Sequence, residues 1–291
     1  MTNGLTKISF VTGKGGVGKT SVAAGLAIKS SQCGKKTLLV ELGHTKSFES
    51  LLKIPDLGHK PQDYKNQFSL AKWNVETCLK EYILSYLKIE KLYKVFFENQ
   101  IMKILIDVAP ALSDLAILGK ITSDIVGFHE VLGFEQIIVD AYATGHMLSM
   151  LRSPKGISEI ITSGPMGERS SKIDQVIRSS LCQYFIVTLP EALPALEAIE
   201  LSDNLKNEFG IIPSLLINQV LDCPMSLDEI KGLLFKSGNH HSFINHLKFI
   251  LENQKKHILE LNNFFKVSKT IPKFINKNEP IELFNKIAEI L

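Results

Sequence analysis

Residues Gly13 to Thr20 read Gly-Lys-Gly-Gly-Val-Gly-Lys-Thr. Gly13, Gly15, Gly16 and Gly18 let the backbone curl until successive N–H groups, that of Val17 among them, point at phosphate oxygens. Lys19 reaches the β- and γ-phosphates of a nucleoside triphosphate, and the Thr20 hydroxyl, with Ser21 next in the chain, is placed at the accompanying Mg²⁺. Binding is not yet hydrolysis. Phosphoryl transfer also needs an acid to organise the metal, a group to orient water, and positive charge at the transferring phosphoryl group. Asp140 ends the apolar run Ile137-Ile138-Val139 and suits the first role, its alternative being a cap for the following helix. Glu41 ends another apolar run and suits the second, its alternative being a plain strand-end acid. Lys14 has no task on the nucleotide of its own loop, which Lys19 already serves. Pointing outward, it would act in trans like an arginine finger, which predicts an isologous homodimer that closes on ATP.

These groups need a scaffold. Short β-rich apolar runs alternate with longer helical patterns, so the chain is expected to be α/β, with a mostly parallel sheet flanked by helices. Strands are predicted at 7–12, 37–42, 136–141, 183–189, 212–218 and 266–271, and a helix from Ser21 to Lys29. In such sheets ligands bind outside the carboxyl ends of the strands, where the loop, Glu41 and Asp140 all fall. Between about 68 and 130 the pattern turns helical without strand signals. Leu79, Tyr82, Ile83, Tyr86 and Leu87 recur at spacings of three and four, and a second helix fits Ile101 to Val108. The expected organisation is one domain over 1–291 with a helical subdomain inserted at about 68–130. Its apolar stripe reads as core packing, with a lid or partner surface as the alternative. The amphipathic segment Pro280 to Leu291 is expected to dock on the domain itself.

Composition removes several classes of function. The chain has 291 residues and a formal charge of only +3, with no lysine-rich run, so no nucleic acid is expected as partner. No apolar run approaches the roughly 18 residues of a membrane span, and with the first strand predicted from residue 7 no targeting peptide is expected. Cys33, Cys78, Cys182 and Cys223 are scattered, without a Cys-x-x-Cys pair. No zinc is expected, and the setting predicted is a reducing cytoplasm. His240, His241, His246 and His257 lack acidic partners at ligand spacing and read as surface residues. The 33 basic residues include only three arginines, Arg152, Arg169 and Arg178. They are expected to form ordinary surface or cap pairs, recognition of a carboxylate or phosphate being the alternative.

Lys14-Gly15-Gly16-Val17-Gly18-Lys19-Thr20 resembles the deviant Walker A motif of the MinD/ParA, nitrogenase iron-protein and arsenite-pump ATPase superfamily. Asp140-Ala141-Tyr142-Ala143-Thr144-Gly145-His146 is similar to the second switch, Asp-Thr-Ala-Pro-Thr-Gly-His, of its arsenite-pump-driving and tail-anchored-protein-targeting branch. Ala109-Pro110-Ala111-Leu112-Ser113-Asp114-Leu115 resembles that branch's Ala-Pro-Gly-x-x-Glu-Leu stretch. Leu189-Pro190-Glu191, the helix from Ala192, and Leu215-Leu216-Ile217-Asn218 fit it too. The resemblance implies a P-loop NTPase fold, ATP and Mg²⁺ as cofactors, and Asn218 as reader of the adenine edge. It also implies a homodimer that drives or delivers a client, here an unidentified protein or membrane client.

The departures are informative. The first switch reads Glu41-Leu42-Gly43-His44 where the family has Asp-Pro-Ala-His. One extra methylene predicts slower hydrolysis or a compensating backbone shift, since a displacement of about 1 Å can cost on the order of 10²-fold in rate. Arsenite capture by converging thiolates finds no support in the cysteine spacing. A MinD/ParA-like positioning scaffold would want a basic amphipathic tail, which Pro280 to Leu291 is not. That scaffold, and a nucleotide-binding module with little hydrolysis, are the alternative readings.

Overall fold

Strand β1 (Lys7–Thr12) is buried from Ile8 onward and runs through the glycine loop into α1 (Lys19–Gln32). The chain returns through β2 (Thr37–Leu42), α2 (Ser47–Leu52), β3 (Gln62–Tyr64), β4 (Phe68–Trp73) and α3 (Val75–Tyr86). Then come α4 (Pro110–Ile121), α5 (Ser123–Val126), β5 (Gln136–Asp140), α6 (Thr144–Ile160) and α7 (Gly164–Ile177). The last third holds β6 (Cys182–Thr188), α8 (Ala192–Phe209), β7 (Ser214–Val220), α9 (His241–Phe264), β8 (Ser268–Pro272) and α10 (Pro280–Ile290). This computed structural model describes residues 7–65, 67–86, 109–127, 131–225, 229–230, 241–266, 268–274 and 279–291. The helix expected over Ile101 to Val108 lies outside the described residues.

The eight strands form one sheet in the order β3-β4-β2-β5-β1-β6-β7-β8. Only β3 and β4 pair antiparallel. Parallel neighbours require crossover connections, and the helices that supply them cover both faces. On one face Leu79, Leu115, Met147, Ile173, Leu201 and Leu261 bring α3, α4, α6, α7, α8 and α9 into a common core. On the other, Ala23, Phe48 and Phe284 bring in α1, α2 and α10. With both faces covered, central strands such as Leu38-Leu39-Val40 are buried without alternation. The architecture is an α/β P-loop NTPase fold, as the sequence pattern predicts.

Two details differ from expectation, and one agrees. Phe68–Trp73, placed at the start of the helical stretch, is instead β4, paired in parallel with β2. Its interior Lys72 obscures the strand pattern, and is accommodated because its Nζ donates to Glu49 Oε1 at 2.5 Å. The helical stretch therefore begins at Val75. The short β3 was also unread. Helix α10 does dock on the domain: Phe284, Ile287 and Ala288 are buried in the α1 face, Ile287 lying where any side chain at Gly25 would collide with it.

Candidate nucleotide site

Because β5 lies between β1 and β2, its register sets Asp140 beside Val11 on one strand and Glu41 on the other. Three strand tips distant in sequence thus meet beneath the loop. The loop's own shape is imposed by packing. At Gly13 (φ +144°) a Cβ would stand 2.1 Å from the Val187 carbonyl oxygen, and at Gly18 (φ +92°) it would stand 2.3 Å from Asn218 Nδ2. Gly15 and Gly16 instead border open space, so what they spare room for comes from outside the chain. The first turn of α1, with Thr20 and Ser21, carries no acidic residue, which leaves its positive end for an anion.

Thr20 Oγ1 donates to Asp140 Oδ2 at 2.7 Å, and Lys19 Nζ donates to the Lys14 carbonyl at 3.0 Å. Burial lowers the Lys19 pKa against the pull of Asp140. Burial also pushes the Asp140 carboxyl up to about 7; Thr20 and Lys19 oppose this, and the Glu41 charge adds to it. Asp140 does not cap α6, whose N-cap is Ala143. Glu41 is fully buried. Its Oε1 accepts from the Thr45 hydroxyl at 2.7 Å and the Ser47 N–H at 2.9 Å, so the longer side chain is anchored to the loop before α2. Neither Thr45 nor Ser47 carries a sequence signal for this.

Whether these residues fit Mg²⁺ can be judged from two atoms. Asp140 Oδ1 and Glu41 Oε2 are both buried and accept no hydrogen bond. An orphaned carboxylate oxygen of Asp140 beside the Thr20 hydroxyl is a hard oxygen donor of the kind Mg²⁺ takes, and a cation with its bound water would relieve both atoms. Together with the glycine cradle, they fit a magnesium–nucleotide.

The remaining predicted residues fall around this centre. Asn218 is buried and donates from Nδ2 to the Val17 carbonyl at 2.8 Å, bracing the loop from β7. The Tyr142 carbonyl accepts from the Thr12 hydroxyl at 2.9 Å. The Tyr142 ring stacks on His146 at 3.8 Å, and His146 Nε2 lies 3.3 Å from Asp114 Oδ1 on α4. Burial raises the Asp114 pKa, with His146 opposing. Lys14 ion-pairs with Glu197 of α8 at 2.6 Å, a partner that the sequence reading missed. That pairing links positions 183 apart, and no local pattern announces it.

Arg152 and Arg178 lie elsewhere. Arg152 forms a two-pronged pair with Glu208 at 2.6 and 2.7 Å. Arg178 bonds Asp174, donates to the Glu208 carbonyl at 3.0 Å and covers the Phe209 ring. Both tie α6 and α7 to the end of α8 remote from Lys14. Arg152→Ala is therefore expected to leave nucleotide turnover unchanged and to move Tm by no more than about 3 °C in a thermal melt. No helix among the described residues is long and apolar enough to cross a membrane.

Comparison with known proteins gives this edge a family context. The sequence profile of the anion-transporting ATPase family matches residues 6–199. ATPase BagA of Mycobacterium tuberculosis is 27% identical over 220 residues, which cover 73% of this chain and 65% of BagA. A candidate arsenical pump-driving ATPase of Aquifex aeolicus is 26% identical over 305 residues, 89% of each chain. ATPase GET3B of Arabidopsis thaliana is 26% identical over 273 residues, covering 76% of this chain and 66% of GET3B. The aligned region thus spans less than two thirds of the mycobacterial relatives it matches. The profile match runs from β1 through both carboxylate strands into α8, and on that span the chain belongs to the anion-transporting ATPase family.

Proposed function

We propose that the chain is a Mg²⁺-dependent ATPase that works as a nucleotide-gated homodimer, with Lys14 of each copy acting on the nucleotide of the other. The observation that carries the catalytic half is the Thr20–Asp140 bond of 2.7 Å beside two orphaned buried carboxylate oxygens. Bound Mg²⁺ would supply charge neutralisation and a template for the phosphates. Thr20 and ionised Asp140 hold it. The loop N–H groups and the α1 terminus hold the phosphates, and Lys19 exchanges the Lys14 carbonyl for a phosphate oxygen. Glu41, fixed through Oε1 by Thr45 and Ser47, has Oε2 left to orient the attacking water. The Asn218 amide oxygen is the atom able to receive the adenine amino group.

Two contacts support coupling to a client. Asp114 on α4 meets His146 of the second switch, and Gly43 of the first switch donates its N–H to the Trp73 carbonyl at 2.9 Å. Movement at the phosphates would thereby reach the helices after β4. Relatives named for pump driving favour a role in moving something, here an unidentified protein or membrane client. A second reading, nucleotide binding with little turnover, draws on the two hydrogen bonds that already occupy Glu41 Oε1.

Steady-state phosphate release tests the enzyme claim. Removing one charge that acts on the transferring phosphoryl group costs on the order of 10²–10³-fold. Lys19→Ala is expected to show that loss against the wild type. Wild-type release no faster than Lys19→Ala would select the binding-only reading.

A further inference from the structure

Lys14 is the one residue whose proposed task lies outside its own chain, and the structure shows what it does meanwhile. Its Nζ sits 2.6 Å from Glu197 Oε1, and both side chains are about two-thirds buried, each keeping 34% of its surface exposed. Glu197 lies in the second turn of α8, the helix that leaves the same sheet edge as the loop. Leu193, one turn before it on the same face, and Leu196, its neighbour in the chain, are 65% and 53% exposed. The lysine is thus folded back onto its own α8, in a face where large apolar side chains stand unburied around one charged pair.

We propose that Glu197 is a positioning residue for Lys14, holding it in cis until a second copy of the chain offers a nucleotide phosphate in exchange. The proposal rests on the homodimer reading above and adds what gates it. A pair that keeps a third of its surface in water is weak, so it delays closure without preventing it. A triphosphate, carrying more charge than one carboxylate, displaces it. When Lys14 leaves, Glu197 and the flanking leucines face the incoming copy together, so closure removes the apolar face from water as it exchanges the ion pair. The fraction of chains with Lys14 released sets the apparent affinity of closure, because a binding-competent state populated at one fifth weakens the observed affinity fivefold.

The test uses the full chain with a non-hydrolysable ATP analogue and Mg²⁺, following mass by light scattering in the wild type, Glu197→Gln, Lys14→Ala and the double variant. Glu197→Gln keeps the shape of the side chain and removes its charge. It is expected to lower the analogue concentration at half-dimerisation by about 2- to 5-fold. That gain should vanish on the Lys14→Ala background and shrink at 0.5 M salt, where the pair is screened. No gain, a loss, or an equal gain without Lys14 would each overturn the gate. Wild-type protein that stays monomeric at saturating analogue would overturn the homodimer reading, and the gate with it. A dimer in which Lys14→Ala keeps both its midpoint and its turnover would remove the trans-lysine reading and the gate, and leave the homodimer standing.

Discussion

Asp140→Asn is expected to move turnover and nucleotide-free stability in opposite directions. Turnover should fall on the order of 10²–10³-fold, since the proposed Mg²⁺ site would lose its anionic ligand. Stability without nucleotide should rise at pH 8. The reason is the buried carboxyl, pushed by burial from its usual value near 3.8 up to about 7. A carboxyl with a raised folded pKa contributes stability in full below its unfolded pKa and loses it as pH rises through the folded one. The wild type therefore gives up stability between about pH 4 and pH 7, on the order of a few kcal/mol, and the uncharged asparagine does not. Thermal melts should coincide near pH 4 and separate by several degrees at pH 8, the variant melting higher. With Mg²⁺ and ATP added at pH 8, the wild type should gain more than the variant, which keeps the phosphate loop but lacks the anionic metal ligand. A variant that melts below the wild type at pH 8 would mean that the Asp140 charge carries no cost, and the orphaned-oxygen argument for the metal would fall. Such a trade of stability for function is common at active sites.

Gly13→Ala should damage the fold itself. The position combines φ +144° with a Cβ only 2.1 Å from the Val187 carbonyl oxygen. Val187 belongs to β6, held between β1 and β7, so the obstacle is backbone in the middle of a sheet. Strain and overlap together should cost about 3–5 kcal/mol in urea unfolding without nucleotide. Gly15→Ala is the contrast, because a Cβ there meets nothing within 4 Å. It should unfold within about 0.5 kcal/mol of the wild type, yet bind ATP more weakly, its methyl standing where phosphate approaches. If Gly13→Ala unfolds like the wild type, the close packing of loop on β6 is wrong. If Gly15→Ala binds ATP normally, the phosphate does not approach at that residue.

The sequence read this far because much of its chemistry is local. A loop that must curl needs glycines within eight residues, and it needs a strand before it and a helix after it. The six strands expected from apolar runs are present within one to two residues at each end. Strand β4 escaped because it is recognised by what flanks it rather than by its own pattern. Lys72 inside it is acceptable only because Glu49 is there to accept from it. Likewise Glu41 read as a displaced catalytic acid, and only its bonds to Thr45 and Ser47 show the longer side chain anchored in place.

By itself, then, the sequence determined the nucleotide loop, the acids at the strand tips and the alternation that builds a parallel sheet, all properties of neighbours along the chain. The tertiary structure decided who meets whom. Strand order inserted β5 between β1 and β2, and so put Asp140 against Thr20 and beside Glu41. Packing of α8 against the sheet brought Glu197 to Lys14 across 183 positions. Side chains so far apart in sequence share a site only through the global arrangement of strands and helices, and no local spacing encodes that arrangement.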